Sequence, residues 1–487
     1  AKSAATAVSY GIFSSENAYP CTVTSKQEAD GGIQMITDLT KEHPDKILWR
    51  FLLPLMISVI FQQFYNMVDS VIVGKQLGVN ALAAVGSTGS INFMVLGFCI
   101  GICNGFAIPI AQAFGAKDTN RLKSYIANCA WCSILFAIVL TIIIGIFTKD
   151  ILTVMRTPAD IFDDAYIYIF IIFMGIPATI LYNMVSGVLR SLGDSFTPVV
   201  FLIFSSILNI ILDLILVKRM GVSGAAVATV TAQAVSGIIC LIYTVKKYRY
   251  LNFNKDDWKI SIKQMLQLCK MGIPMGLQYS ITAIGSMVMQ SANNKLGSIY
   301  VSGFTAAARI KQFTMCPYDA FATGASVFAS QNLGAGNLKR IKKGIRIGVG
   351  VGMTYGLIAG IVLIFFGREL SLIFVNKSDV AVLTASAKYL FCAGFFYWTL
   401  GILNTCRMCT QGLGYSGLAI FSGVTEMIAR ISVSMIFVPK FGYLAICFTD
   451  QAAWIAACLY IVPVCIYCVN RAGRHIAGDH GLPVENK

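Results

Sequence analysis

The sequence carries little charge for its length. Only 13% of its 487 residues are Asp, Glu, Lys or Arg, whereas 56% are hydrophobic. A soluble globule of this size needs more charged and polar residues to cover its surface. The low charge therefore excludes a soluble protein and indicates an integral membrane protein.

Histidine is scarcer still. The three histidines, His43, His475 and His480, all lie near the ends of the chain. A membrane enzyme would need a reactive cluster, such as paired His and Asp residues at one membrane face, and none is visible. We therefore expect no enzymatic activity and no cofactor.

Cysteine, in contrast, is plentiful, and six of the fifteen cysteines form CxxC pairs. In a soluble protein such pairs would suggest zinc binding or redox chemistry. Here they lie within apolar segments or at their ends, with no histidine nearby, so we interpret them as small packing residues. The pairs are Cys129/Cys132, Cys406/Cys409 and Cys465/Cys468.

Long apolar runs dominate the rest of the chain. Each is long enough to cross a hydrocarbon core of ~30 Å as a helix. The sequence thus predicts an all-α integral membrane protein with twelve transmembrane helices. The runs centre on residues 47–73, 82–108, 122–147, 165–189, 195–217, 221–245, 264–292, 299–329, 344–366, 385–406, 416–438 and 442–469.

The distribution of positive charge along the chain indicates the membrane topology. The net charge of +15 is spread over short links between spans instead of being gathered in one domain, which argues against nucleic acid binding. Links on the side that holds both termini contain most of the Lys and Arg, whereas the longest opposite link carries Asp160, Asp163 and Asp164. By the positive-inside rule, both termini are expected in the cytoplasm and the protein in the cytoplasmic membrane.

The chain contains an internal repeat. The stretch "QAFGAKDTNRLK" (112–123) returns as "QNLGAGNLKRIK" (331–342), and "SLGDS" (191–195) as "GLGYS" (412–416), at offsets of 219 to 221 residues. Six spans per repeat is an even number, so the halves should be related by an axis along the membrane normal. Such duplicated bundles are a recurring transporter plan, with substrate bound between the halves.

The repeat also gives the expected domains. We predict a flexible cytoplasmic N-terminal extension, two six-helix bundles joined by a cytoplasmic linker, and a cytoplasmic tail. Their boundaries are residues 1–46, 47–245, 246–263, 264–470 and 471–487.

Acidic residues inside spans are the strongest functional signal. Gln62, Tyr65 and Asp69 follow one another at helical spacing on the first span, with Pro54 earlier near the same stripe, which makes a polar face on a helix that can bend.

On the fifth span, Asn209 and Asp213 lie one turn apart. Two such carboxylates in one half could share a proton, or could hold Na⁺ with help from Asn209 and a Thr of the sixth span. The alternative is a purely structural role, in which the two acids are hydrogen-bonded to their helix neighbours and couple no ion.

The second half does not repeat these acids. The repeat maps Asp69 to Val288 and Asp213 to Ser434, so ion coupling should reside in the first half. The second half has its own charges, Arg309 and Lys311 on the eighth span and Glu426 with Arg430 on the eleventh. The spacing of Glu426 and Arg430 favours an intrahelical ion pair.

Several segments together resemble the multidrug and toxic compound extrusion (MATE) transporters. They are "PLMISVIFQQFYNMVDSVIVGKQLGVNALAAVG", "AQAFGAKDTNRLK", "LNIILDLIL" and "GVSGAAVAT". The likeness covers residues 47 to about 470, and the first-half acids place the chain nearer the DinF-like and MepA-like bacterial branch than the NorM-like one.

The resemblance implies a MATE fold and a multidrug exporter that exchanges H⁺ or Na⁺ for organic cations. It implies that Pro54 is a helix bend and that Gln62, Tyr65 and Asp69 belong to a coupling network. Tyr168 and Asn183 on the fourth span, with Asn209 and Asp213, would complete that network, and the sixth-span Thr of the family falls on Thr229 or Thr231.

The expected partners are small cationic amphipathic substrates and membrane lipids, and we expect a monomer. The alternative function is a flippase for lipids or lipid-linked oligosaccharides in the same superfamily. Acids in the first half disfavour the anionic cargo of such a flippase.

Overall fold

A computed structural model describes residues 37–155 and 157–479, and all regular structure in this part of the chain is helical. Residues 1–36 of the predicted extension and residues 480–487 of the predicted tail lie outside the described residues. The first repeat contains helices α1 to α8, and the second contains α9 to α16. In order they are α1 Pro44–Leu77, α2 Val79–Ser87, α3 Gly89–Gly115, α4 Thr119–Val154, α5 Phe162–Met174, α6 Ile176–Ser191, α7 Phe196–Met220, α8 Val222–Lys247, α9 Ile262–Asn294, α10 Ser298–Gly334, α11 Leu338–Ser371, α12 Val380–Gly394, α13 Thr399–Gly412, α14 Ser416–Ser432, α15 Val438–Phe441 and α16 Tyr443–Asp479.

These helices fit the twelve predicted spans. In the described part of the chain, eight spans are long and apolar enough to cross a membrane, and two more are bent pairs, α5 with α6 at 44° and α12 with α13 at 59°. The helices α9 and α10 have 33 and 37 residues. They are long enough to span, although they carry more polar side chains than the others. The predicted all-α, twelve-helix membrane fold is confirmed.

The two halves repeat the same packing. In the first half α1 packs on α7, α3 on α6, and α7 on α8; in the second half α9 packs on α14, α10 on α13, and α14 on α16. One difference concerns α7 and its counterpart α14: α7 is regular throughout, whereas α14 is followed by a π-helical turn at Val433–Phe437. Ser434, the counterpart of Asp213, lies in that turn.

Glycines allow the halves to approach closely. A Cβ atom at Gly105 would overlap the Cα of Gly272, and one at Gly115 would overlap the carbonyl oxygen of Gln331. Both contacts lie toward the side of the bundle that holds residues 37–43, which we call the termini face. Side chains at these positions would force the helices apart, so the halves are closed against each other on this face.

One part of the predicted flexible extension is ordered. Leu39 is fully buried, its N–H donates to Gln331 Oε1 (3.1 Å), and its carbonyl accepts from Asn332 and Arg340. This part of the predicted extension therefore packs on the second half, and α1 already begins at Pro44.

The predicted linker between the bundles is also partly ordered. After α8 the chain forms two short 3₁₀ helices, Arg249–Leu251 and Lys255–Trp258, before α9 begins. The backbone N–H of Ser261 donates to Asn128 Oδ1 (2.9 Å). This bond fastens the linker to α4 of the first half.

Candidate ion-coupling site

The two acids singled out in the first half come together. Asp69 of α1 and Asp213 of α7 have their side chains in hydrogen-bonding contact, and Asp213 is fully buried. Both residues lie about two turns from the ends of their helices at the face opposite the termini. Two carboxylates in contact repel each other, and water does not screen this repulsion here. They therefore either share a proton, so that only one is ionised, or hold a cation between them.

Asn209 connects this pair to α8. In the amide orientation that satisfies both of its polar atoms, Nδ2 donates to Asp213 Oδ2 (3.1 Å) and the side-chain oxygen accepts from the backbone N–H of Thr229 (3.1 Å). Asn209 is almost completely buried. It therefore holds one oxygen of Asp213 in place while leaving the other free.

Two tyrosines complete the surroundings of the acids. The Tyr65 hydroxyl lies beside the Thr229 side chain. Tyr168 of α5 is buried and lies near Tyr65 and both acids. The site thus draws side chains from the first, fourth, fifth and sixth spans.

The structure separates the two candidate threonines. Thr229 is half-buried against Asn209 and Tyr65, whereas Thr231 is exposed. Residues two apart on a helix point about 200° away from each other, so only one can face the acids. The geometry places Thr229, and not Thr231, beside the acid pair.

The remaining predicted residues lie outside this cluster. Gln62 is exposed on α1. The Asn183 amide donates to the Thr179 carbonyl of its own helix (2.8 Å), and within the described residues no hydrogen bond joins it to the acids. Pro54 lies inside α1, which is assigned as one continuous helix. A role for these three residues stays a prediction.

Some buried oxygens in this half have no partner. Among the described residues, Asp69 Oδ1 and Asp213 Oδ1 are buried without a hydrogen bond, and so is Asn92 Oδ1 on α3. Unpaired buried oxygens are costly unless a proton or a cation satisfies them. Carboxylate and amide oxygens suit a hard cation such as Na⁺, the ion predicted at Asp69, Asn209 and Asp213.

The second half contains a charged cluster that sequence reasoning only partly found. Asp450 of α16 accepts from Lys311 Nζ (2.5 Å), from the Tyr389 hydroxyl (2.5 Å) and from Arg430 Nε (2.9 Å). The predicted contact between Glu426 and Arg430 exists at 3.4 Å, but Glu426 also pairs with Arg407 of α13. The predicted intrahelical pair is therefore present, as one part of a larger cluster that also includes Arg407.

The CxxC cysteines lie where packing residues are expected. All six are buried between helices, and within the described residues no group of three His, Cys, Asp or Glu side chains could hold a metal ion. We keep the interpretation that they pack the helices.

Comparison with known proteins identifies the family. The MatE family model matches residues 54–215 and 274–436, one match in each repeat. This chain belongs to the MATE transporter family. The two matched segments together cover about two thirds of the chain and correspond to the two halves described above.

Relatives and solved structures agree with that assignment. The chain is 32% identical to the probable multidrug resistance protein YpnP of Bacillus subtilis, over 75% of this chain and 82% of that protein. It is 29% identical to the probable multidrug resistance protein YoeA of Bacillus subtilis, over 70% of this chain and 76% of that protein. A crystal structure of a MATE protein in complex with MaL6 superposes with a TM-score of 0.84 at 20% identity, covering 91% of this chain and all of the other.

Proposed function

We propose that this MATE transporter is a secondary active multidrug exporter that exchanges H⁺ or Na⁺ for organic cations. The observation that carries the proposal is the contact between Asp69 and Asp213 inside the membrane-spanning part of the first half. Its Bacillus subtilis relatives YoeA and YpnP are named probable multidrug resistance proteins, which supports the same activity.

The acid pair supplies the coupling. Loading with a proton or Na⁺ neutralises the repulsion between Asp69 and Asp213 and lets their helices pack more closely. Release of the ion restores negative charge beside the space between the halves. A ligand that favours one charge state over the other shifts the protein between its conformations, as alternating access requires.

Charge also selects the cargo. With the acids ionised the first half attracts a cationic amphipathic molecule, and with the acids neutralised that attraction is lost. Ion loading from the outer side therefore weakens the hold on the drug at the point where the drug should leave. An anionic lipid-linked sugar would be repelled by the same pair.

Transport in proteoliposomes tests the proposal. Purified protein is reconstituted, and uptake or efflux of ethidium is followed while a pH gradient and a Na⁺ gradient are imposed separately. We expect one of the two gradients to drive ethidium movement, and Asp69→Asn/Asp213→Asn to abolish it. Gradient-independent movement of a fluorescent lipid-linked sugar, with no movement of cationic dyes, would favour the flippase instead.

The proposed orientation places the termini face in the cytoplasm of a bacterial cell. Asp163 at the opposite face and Lys339 at the termini face are both exposed, so each can be replaced by cysteine in a cysteine-depleted background. We expect a membrane-impermeant maleimide to label Asp163→Cys in intact cells and to leave Lys339→Cys unlabelled. The reverse pattern would invert the topology.

A further inference from the structure

The charged cluster of the second half occupies the position that the repeat pairs with the acid site of the first half. Offsets of 219 to 221 residues relate three residues of the acid site, and Asn92 of α3, to the four members of the cluster around Asp450, and they relate Asp213 itself to Ser434. The pairs are Asn92 with Lys311, Tyr168 with Tyr389, Asn209 with Arg430, Asp213 with Ser434, and Thr229 with Asp450.

The exchange keeps a carboxylate but changes what neutralises it. In the first half the carboxylates have uncharged neighbours such as Asn209, and Asn92 of α3 is likewise an uncharged amide, with its side-chain oxygen buried and unpaired. In the second half those two amides are replaced by cations: Lys311 Nζ lies 2.5 Å from one oxygen of Asp450, and Arg430 Nε lies 2.9 Å from the other. Lys311 also donates to the Tyr389 hydroxyl (2.9 Å).

The ammonium group of Lys311 thus has the surroundings of a bound cation. Its ligands are a carboxylate and a tyrosine hydroxyl, the groups that the first half also presents. The Lys311 side chain is 16% exposed and Asp450 is 2% exposed. A carboxylate so deeply buried needs a compensating charge, and here the chain itself supplies that charge.

We propose that Lys311, assisted by Arg430, is a built-in cation that permanently fills a second ion site, so that the coupling ion is loaded in the first half only. The proposal rests on the proposed function for the ion site at Asp69 and Asp213. It predicts that replacing the two cations by the first-half residues, Lys311→Asn and Arg430→Asn, opens a second site for H⁺ or Na⁺ at Asp450.

The charged groups near Asp450 show which carboxylate the two substitutions would leave without a cation. Within residues 37–155 and 157–479, the charged and titratable groups that hydrogen-bond to Asp450 are Lys311 from α10, Tyr389 from α12 and Arg430 from α14. Glu426 keeps Arg407 as its partner after the two substitutions. Asp450 would then be the carboxylate left without a cation.

Ion-dependent thermal stability is the direct measurement. The unfolding midpoint of the purified protein is recorded in detergent with 100 mM NaCl or choline chloride, and at pH 8 and pH 6. Lys311→Asn/Arg430→Asn should add an ion-dependent shift on the order of 3 °C to that of its parent. The matched control Lys311→Arg/Arg430→Lys retains both cations and should add none.

The experiment is run in two parents, the natural sequence and Asp69→Asn/Asp213→Asn. Loss of the ion-dependent shift in the second parent supports the first-half site, and its persistence there would overturn the proposed function. The proposal of a built-in cation is tested separately. Its measure is the ion-dependent shift in unfolding midpoint that Lys311→Asn/Arg430→Asn adds to either parent. A folded variant that adds no shift in either parent would overturn it.

A reciprocal variant covers the case in which the second half does not fold without its cations. Asn92→Lys places an ammonium at the equivalent position of the first half. We expect it to remove the ion-dependent shift of the natural sequence, whereas Asn92→Gln should retain it. An unchanged shift in a folded Asn92→Lys protein would contradict the proposal.

Discussion

The two halves of the molecule treat a buried carboxylate in opposite ways. In the first half, Asp69 and Asp213 contact each other and share no partner of opposite charge among the described residues, whereas in the second half Asp450 is paired with both Lys311 and Arg430. The helices around the two sites pack alike. The difference therefore lies in side chains, and it shows how a duplicated bundle can separate an exchangeable charge from a fixed one.

This asymmetry has a physical consequence for stability. A carboxylate pair without cations raises the energy of the folded state until an ion arrives, so its strain is available to drive a conformational change. A cluster of fixed ion pairs stabilises one arrangement of its helices as long as both partners remain. We expect the first half to respond to ions and the second half to act as the more rigid frame.

The largest effect should come from the acids themselves. Asp69→Asn and Asp213→Asn each preserve size but remove the titratable group, so each should reduce ion-driven export of ethidium at least tenfold while the protein still reaches the membrane. Efflux from energised cells, normalised to membrane expression, measures this. Normal gradient-driven efflux by Asp69→Asn/Asp213→Asn would show that Asp69 has only a structural role.

A smaller effect on transport, but a large one on stability, is expected in the second half. Glu426→Gln leaves Arg407 and Arg430 with one acid fewer in a buried cluster, which should cost about 3–5 kcal/mol of folding free energy. Ion dependence should persist, because the first-half site is untouched. Thermal unfolding with and without Na⁺ or acid separates the two readouts.

A matched control makes the Glu426 result specific. Arg407→Gln/Glu426→Gln removes an acid and a base together and leaves Arg430 paired with Asp450. It should lose less stability than Glu426→Gln alone, because an unpaired buried charge costs more than a missing pair. Equal losses would show that packing, and not charge, accounts for the effect.

The sequence predicted the fold and the acid pair because both depend on local patterns. Apolar runs fix the spans, and the spacing of Asp69 on α1 and of Asp213 on α7 fixes their faces. The partners of Asp450 were missed because they lie on three other helices, and spacing along one helix favoured Glu426 with Arg430. The repeat itself held the missing signal, since the same offset that maps Asp213 to Ser434 maps Thr229 to Asp450.

The smallest predicted effect separates two threonines that spacing alone left equivalent. Thr229 contacts the Tyr65 side chain, whereas Thr231 is exposed on another face of α8. Thr229→Val removes a hydroxyl beside Tyr65 and Asn209, a polar group worth about 1 kcal/mol, while the backbone N–H that binds Asn209 remains. We therefore expect the H⁺ or Na⁺ concentration for half-maximal export to shift about fivefold in Thr229→Val. Thr231→Val, which makes the same chemical change on the same helix, should behave as the natural sequence does. An equal shift in both variants would mean that α8 as a whole, and not the contact of Thr229 with Tyr65, sets the affinity of the site.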